Sequence, residues 1–447
     1  MEEIRMVSDS GLTEDEPRDA LERSITGLAL KKVLLLPPDA TRSHSYAGKI
    51  TALYYEMLQE RCQVDIMPAL GTHEPMSRRE CESFLGVPYD RVIAHNWRDD
   101  VVRLGEIPGD FVAKVSEGLL TDPIGVEINR RLLDASYDLI LSVGQVVPHE
   151  VAGMANYSKN IFVGCGGSQM INGSHMLGAV YGMERIMGRT DTPVRRVFDY
   201  AEERFLSHMP LRYVLTVTTQ GAYGTILNGL YIGRGRPLFE AACALSQRKN
   251  IDFMDKPLKT AVVWLNPDEF KSTWLGNKAV YRTRMAMADG GELIIMAPGV
   301  RRFGEDSQVD ALIRKYGYVG RERILELVRD NEDLRQNLSA AAHLIHGSSD
   351  GRFHITYATD KLSWQEVESV GYRFWPLSGA LARYKPEKLR DGYNALDDQT
   401  EIFYISNPAL GLWADRRGFP GQCSAAEIAT PCRGDYQSPA AEETTGD

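Results

Sequence analysis

The chain has 447 residues, about three times the commonest domain size, so at least two domains are expected. Its 43% hydrophobic and 25% charged residues are those of a globular protein with core enough to fold unaided, and 40 glycines with 21 prolines exclude collagen-like and low-complexity architectures. The net charge of −10 sits at the ends: residues 1–20 carry seven acids against two bases, residues 435–447 carry four acids and no base, and only −1 remains between them. A body so nearly neutral argues against a nucleic-acid binder built on a basic face.

Taken in chain order, residues 1–20 are expected to be an acidic, disordered tail, and residues 21–255 an N-terminal α/β domain. Apolar runs predict strands at Val33–Leu36, Val64–Met67, Asp138–Val143, Ile161–Val163 and Tyr213–Thr218. Helical spacing predicts helices at Tyr46–Arg61, Ile124–Ala135 and Ser174–Gly188, and Ser77 with Glu80 forms a capping box at the head of another. The polar, Pro-containing stretch Asn250–Lys259 marks a boundary, and residues 256–410 form a C-terminal α/β domain. There, strands are expected at Ala261–Leu265, Glu292–Ala297, His354–Ala358 and Glu401–Ile405, with helices near Lys278–Ala288 and across Ser307–Leu344. Residues 411–447 read as a tail, partly disordered, rich beyond Arg416 in Gly, Pro, Ala and acids. Strand–helix alternation implies two α/β domains with mainly parallel sheets and an inter-domain crevice. Six scattered cysteines without a CxxC pair read as reduced thiols, the N-terminus lacks a signal peptide's features, and no apolar run reaches the ~18–20 residues of a membrane span. A cytoplasmic protein that engages neither membrane nor nucleic acid is expected.

Polar residues cluster where the strands end. Pro37-Pro38-Asp39-Ala40-Thr41-Arg42 follows the first strand, Gly71-Thr72-His73-Glu74-Pro75 the second, and Pro148-His149-Glu150 the third. Open α/β sheets hold their ligands in the crevice beyond such ends. Only nine histidines occur in the chain, and His149 is followed by Lys159 and His175 at +10 and +26. The run Gly164-Cys165-Gly166-Gly167-Ser168 offers backbone N–H groups to a phosphate, but it is neither a P-loop nor a GxGxxG fingerprint.

Asp39-x-Thr41-Arg42, Gly71-Thr72-His73-x-Pro75, His149, Lys159 and His175, in that order and at those spacings, resemble the nickel-pincer lactate racemase family across residues 30–190. Members bind a pyridinium mononucleotide with two thio-carbonyl arms, one attached to a lysine, which holds nickel by two sulfurs and a ring carbon with a histidine as fourth ligand. The resemblance implies that Lys159 is the attachment point, His175 the nickel ligand, and His73 and His149 the catalytic acid/base pair. Asp39 and Thr41 would border the cofactor, while Arg42, Tyr281 and Arg282 would bind the substrate. Racemising a 2-hydroxy acid needs a proton acceptor on each face, which imidazole supplies near neutral pH. Imidazole with two sulfurs also suits square-planar nickel. Partners would be a small 2-hydroxy acid and cofactor-maturation proteins, with homo-oligomerisation left open.

The departures concern the substrate. Arg42 is followed by Ser43-His44-Ser45 where prolines are usual, and Leu265-Asn266-Pro267-Asp268 replaces a Gly-Gly loop. A family pattern Tyr-Gln-x-x-Lys becomes Tyr281-Arg282-Thr283-Arg284-Met285, so Arg282 stands for Gln and Met285 for Lys. Arg282 or Arg284 could grip a carboxylate bidentately, and an apolar pocket floor is expected at Met285. A racemase or epimerase of a 2-hydroxy acid other than lactate is the expectation. The alternatives are a zinc hydrolase or lyase with His73, His149 and His175 as ligands, and a non-catalytic cofactor-binding homologue.

Overall fold

In the computed structural model, which describes residues 3–221, 224–409 and 411–419, the strands of the N-terminal half form one six-stranded sheet. Its order is Ile4–Val7, Gly224–Gly233, Leu211–Gly221, Leu139–Gln145, Lys32–Leu36, Gln63–Ile66. The last four run parallel, and the first two pair antiparallel. Leu139–Gln145 is buried along its whole length, as a central parallel strand covered on both faces must be. The two-residue side-chain period explains the two cores: Leu34 and Leu36 enter one apolar cluster, Val33 and Leu35 the other.

A second six-stranded sheet runs Arg373–Pro376, His354–Thr359, Met287–Met296, Leu258–Trp264, Glu401–Ile405, Gly392–Ala395, all parallel except the last pair. Val263 and Ile295 face one cluster, Val262 and Ile294 the other. The helix Ser168–Tyr181 joins the two halves, because its Met176, Ala179 and Val180 are part of the second domain's core. Arg284 adds a polar tie: it is nearly fully buried and its guanidinium donates to Glu184 (2.7 Å), Asp350 (2.9 Å) and the Ser348 carbonyl.

Several elements differ from the sequence expectation. The expected tail at residues 1–20 is ordered from residue 3 onward: Ile4–Val7 is an outer strand, and the helix Asp15–Ile25 buries Ala20, Leu21 and Ile25. Ile124–Ala135 is a strand, Ile124–Asn129, followed by a short turn Arg130–Leu133. Ile124, Val126 and Ile128 alternate, and pairing with Val101–Ile107 uses that period of two rather than the helical one. Ile161–Val163 lies in a π-helix, Asn160–Gly164, since so short an apolar run fits a buried turn as well as a strand. The helix expected from Ser174 begins at Ser168 and ends at Tyr181. Lys278–Ala288 is a short helix, Lys278–Thr283, with a strand beginning at Met287. Residues 411–419 are not tail-like, because Trp413–Asp415 pairs with Asp252–Met254. The expected disorder beyond 419 lies outside the described residues. Among the described residues, no helix is long and apolar enough to cross a membrane.

Candidate active site in the inter-domain crevice

From Lys32–Leu36 the chain moves to Gln63–Ile66 on one side, then returns to the other side at Leu139–Gln145. The strand order therefore reverses at Lys32–Leu36, and the carboxyl ends there open the crevice where such sheets place ligands. Asp39 and His149 leave from those ends.

His73 Nδ1–H donates to Asp39 Oδ2 at 2.6 Å. The other oxygen, Oδ1, accepts from the Thr41 amide at 2.9 Å and from the Thr41 hydroxyl. Burial works against the Asp39 charge, but the His73 and Thr41 hydrogen bonds outweigh it and hold the carboxyl below its usual range. The carboxylate thereby fixes the His73 tautomer, leaving Nε2 with a lone pair to accept a proton. His149 is held the opposite way. Its Nδ1 accepts the Val151 amide at 3.1 Å and the Ala152 amide at 3.4 Å, so the ring proton lies on Nε2. Burial keeps His149 neutral, pushing its pKa well down, with the Glu150 carboxylate opposing and Lys159 and Arg42 adding to the shift.

Lys159 lies at the start of the π-helix, and its ammonium makes no hydrogen bond or ion pair among the described residues. Burial lowers its pKa to about 8, helped by Arg42 and opposed by Glu150. The protonated native form is thus disfavoured, and stability rises with pH between about 8 and the unfolded lysine value of roughly 10.4. Lys159→Met in the nucleotide-free protein is therefore expected to be more stable than wild type at pH 7, by something of the order of 1–3 kcal/mol. The gain should fade as pH approaches roughly 10. Denaturant unfolding at pH 7 and 10 checks this, and equal stabilities at pH 7 would contradict it.

His175 stands on the helix Ser168–Tyr181, where its Nδ1–H donates to the Ile171 carbonyl at 2.6 Å. That bond fixes the tautomer and leaves Nε2 free, as in metal-bound histidines oriented through their other nitrogen. Burial also keeps His175 neutral, with the Ile171 carbonyl opposing.

The second domain closes the crevice with α-helical residues Lys278 and Arg282, four apart and on one face. Glu150 links the halves. Burial opposes its charge, but His149 and Arg282 more than compensate and keep it ionised far below the usual range. Arg282 Nη1 donates to the Gly411 carbonyl at 3.1 Å, while its buried Nε has no partner. Burial lowers the pKa of His44, as do Arg42, Arg282 and Lys278, so His44 also belongs to the site. Tyr281 is buried with its hydroxyl pKa raised, first by burial and then by Glu150.

Other sequence expectations change. Met285 lies beyond the end of its helix and packs with Met187, Tyr281 and Leu412, so it does not floor a pocket beside Arg282. Arg284 is consumed by its tie to Glu184 and Asp350. The glycine run does not cradle a phosphate: the Glu127 carboxylate accepts the Gln169 amide at the head of the helix, and a side chain at Gly167 would collide with it. Among the described residues no three His, Cys, Asp or Glu side chains are grouped to hold a metal ion, His73, His149 and His175 included. Lys278, Glu150 and His346 had no assigned role in the sequence. The spacing of Lys278 from Arg282 was a usable signal, whereas nothing local marks His346, whose buried Nε2 lacks a partner and whose pKa burial lowers to about 4 against the opposing Glu150.

A two-domain α/β protein with mainly parallel sheets and a crevice lined by ionisable side chains is the class that this geometry defines. Residues 17–186 match the family model of the lactate racemase N-terminal domain. A Thermotoga maritima protein of known crystal structure is 25% identical, with TM-score 0.76, over 92% of this chain and 100% of that one. The lactate racemase apoprotein of Thermoanaerobacterium thermosaccharolyticum is 16% identical and shares the fold, with TM-score 0.67, over 91% of this chain and 94% of that one. No curated protein matches the sequence. The chain is therefore similar to the lactate racemase N-terminal domain over residues 17–186, and as a whole it shares the lactate racemase fold.

Proposed function

We propose that this protein is a racemase or epimerase of a 2-hydroxy acid other than lactate, dependent on the nickel-pincer nucleotide. The observation that carries the proposal is the pair His73 and His149, held by Asp39 and by two amides in opposite tautomers. Inverting C2 requires one group that takes the hydroxyl proton and another that bears one. In the described geometry neutral His73 offers the acceptor at Nε2, and His149 becomes a proton donor once its Nδ1 is protonated as well. Protonating Nδ1 requires His149 to release the Val151 and Ala152 amides, and after giving up its Nε2 proton the neutral ring can accept one there in the reverse direction.

The residues present fit the cofactor. Lys159 offers an unpaired amine of lowered pKa for a covalent link, and His175 an oriented, neutral Nε2 for nickel. When bound, the group supplies the electrophile that takes and returns the C2 hydride, which no side chain can do. Arg42 stands at the crevice mouth to meet the substrate carboxylate. Arg282, with one unbonded donor, suits a polar group further along the chain, and Lys278 stands in for the lysine lost at position 285. A cytoplasmic enzyme served by cofactor-building proteins follows from this proposal.

The test is intact mass of the protein co-expressed with a nucleotide-building pathway, followed by lactate, aliphatic, aromatic, dicarboxylic and sugar-derived 2-hydroxy acids as substrates. An adduct at Lys159 and turnover of an acid longer than lactate are expected, with Arg282→Gln lowering that preference about tenfold or more. Lactate as the best substrate, or no adduct with full zinc occupancy, would overturn it.

A further inference from the structure

Lys159 follows an improbable piece of backbone. Asn156 and Tyr157 both have positive φ, 62° and 57°, and neither is glycine. Left-handed backbone is unfavourable for such residues and persists only where the surroundings impose it. The surroundings here are the side chain of Arg195, from the helix Pro193–Leu206. It is fully buried and donates to the Met154 carbonyl (2.7 Å), the Asn156 carbonyl (3.3 Å) and the Ser158 hydroxyl (2.9 Å). Among the described residues no carboxylate hydrogen-bonds to it, the nearby Asp199 acting only through its charge; its guanidinium lies over the Phe239 ring at 4.3 Å. Burying a guanidinium against neutral acceptors is costly, and packing this helix would not require it. Its planar fork spans three acceptors along one turn, which a lysine cannot do.

The other side of Lys159 is anchored as well. The Asn160 side-chain amide donates to the Leu36 carbonyl (3.2 Å), at the end of one strand that opens the crevice, and to the Ser142 hydroxyl (2.9 Å), midway along the other. Lys159 is thus bracketed, with Ser158 held by Arg195 and Asn160 held by the sheet. Thr192 completes the arrangement by capping the Arg195 helix while donating to the Ala152 carbonyl at 3.2 Å.

We propose that Arg195 is a positioning residue that imposes the left-handed corner at 156–157 and thereby aims the Lys159 amine into the crevice. The proposal rests on the assignment of Lys159 as the cofactor's attachment point, and it is tested first without the cofactor. An amine-acylating reagent is applied near pH 7 to nucleotide-free wild type, Arg195→Lys and Ser158→Ala, and the rate at Lys159 is measured by peptide mass against the exposed Lys361. Arg195→Lys keeps the charge but not the fork. Once the corner relaxes, the amine is solvated and its pKa climbs from about 8. A climb of about half a unit cuts the neutral fraction roughly threefold. Arg195→Lys is therefore expected to slow Lys159 labelling at least about threefold relative to Lys361, and Ser158→Ala to slow it less, in the same direction.

A folded Arg195→Lys with an unchanged Lys159 rate overturns the proposal. Should that variant fail to fold, an unchanged rate in folded Ser158→Ala overturns it instead. Nucleotide loading on co-expression separates the two ideas. Slowed labelling with no adduct in wild type refutes Lys159 as the attachment point and upholds the positioning, whereas full loading of both variants at unchanged rates refutes the positioning alone.

Discussion

Lys159→Ala protein, co-expressed with the cofactor-building proteins, is expected to have the mass of the bare polypeptide, and His175→Ala to retain the adduct with less nickel. The two effects separate because the groups sit on different elements. Lys159 opens the π-helix bracketed by Arg195 and Asn160, while His175 is oriented from within its own helix by the Ile171 carbonyl. Neither replacement leaves a buried partner charge, since Lys159 has no ion pair and the Ile171 carbonyl remains in its helix. Both variants should therefore fold. If, as proposed, nickel is held mainly by the cofactor's own sulfurs, losing one protein ligand lowers affinity without abolishing it. Metal analysis alongside intact mass decides the matter: full nickel and an unchanged adduct in both variants would refute the assignment.

The second large effect is on turnover. His73→Ala and His149→Ala should each lower the rate about 10²–10⁴-fold, in both directions, because each conversion uses one ring as acceptor and the other as donor. Asp39→Asn should cost less, about 10–100-fold, since it removes the charge that holds the His73 proton on Nδ1 but leaves the ring in place. Progress curves from each enantiomer measure this. A His73→Ala enzyme that keeps most of its activity would rule out the two-histidine scheme, and an Asp39→Asn enzyme equal to wild type would rule out the tautomer argument.

The strands Lys32–Leu36, Leu139–Gln145, Leu258–Trp264 and Glu401–Ile405 were legible in the sequence because each is a short apolar run bounded by turn residues, and a buried parallel strand has no other signature. The ionisable groups after them were legible for the same reason: in such a sheet, the loop leaving a strand lies at its carboxyl edge. Asp39, His73 and His149 could therefore be placed in one crevice from their positions in the chain. Their proton states could not. The His73 tautomer depends on a carboxylate 34 residues away, and that of His149 on how its own loop turns back on the ring.

Local pattern also failed wherever a distant partner chose between two periods. Ile124–Asn129 fits a helix or a strand, and pairing with Val101–Ile107 decided for the strand. Ile4–Val7 looked like part of an acidic tail until Gly224–Gly233, more than 200 residues later, supplied its hydrogen bonds. Arg282 and Arg284 stand two apart with identical chemistry, yet among the described residues one keeps a buried, unbonded Nε and the other is spent on Glu184 and Asp350. By itself the sequence determined which residues lie at strand ends, because side-chain period and turn chemistry act over a few residues. Only the tertiary structure decided which nitrogen carries a proton, which arginine keeps an unbonded nitrogen and what flanks Lys159, because hydrogen-bond partners and desolvation come from segments remote in the chain.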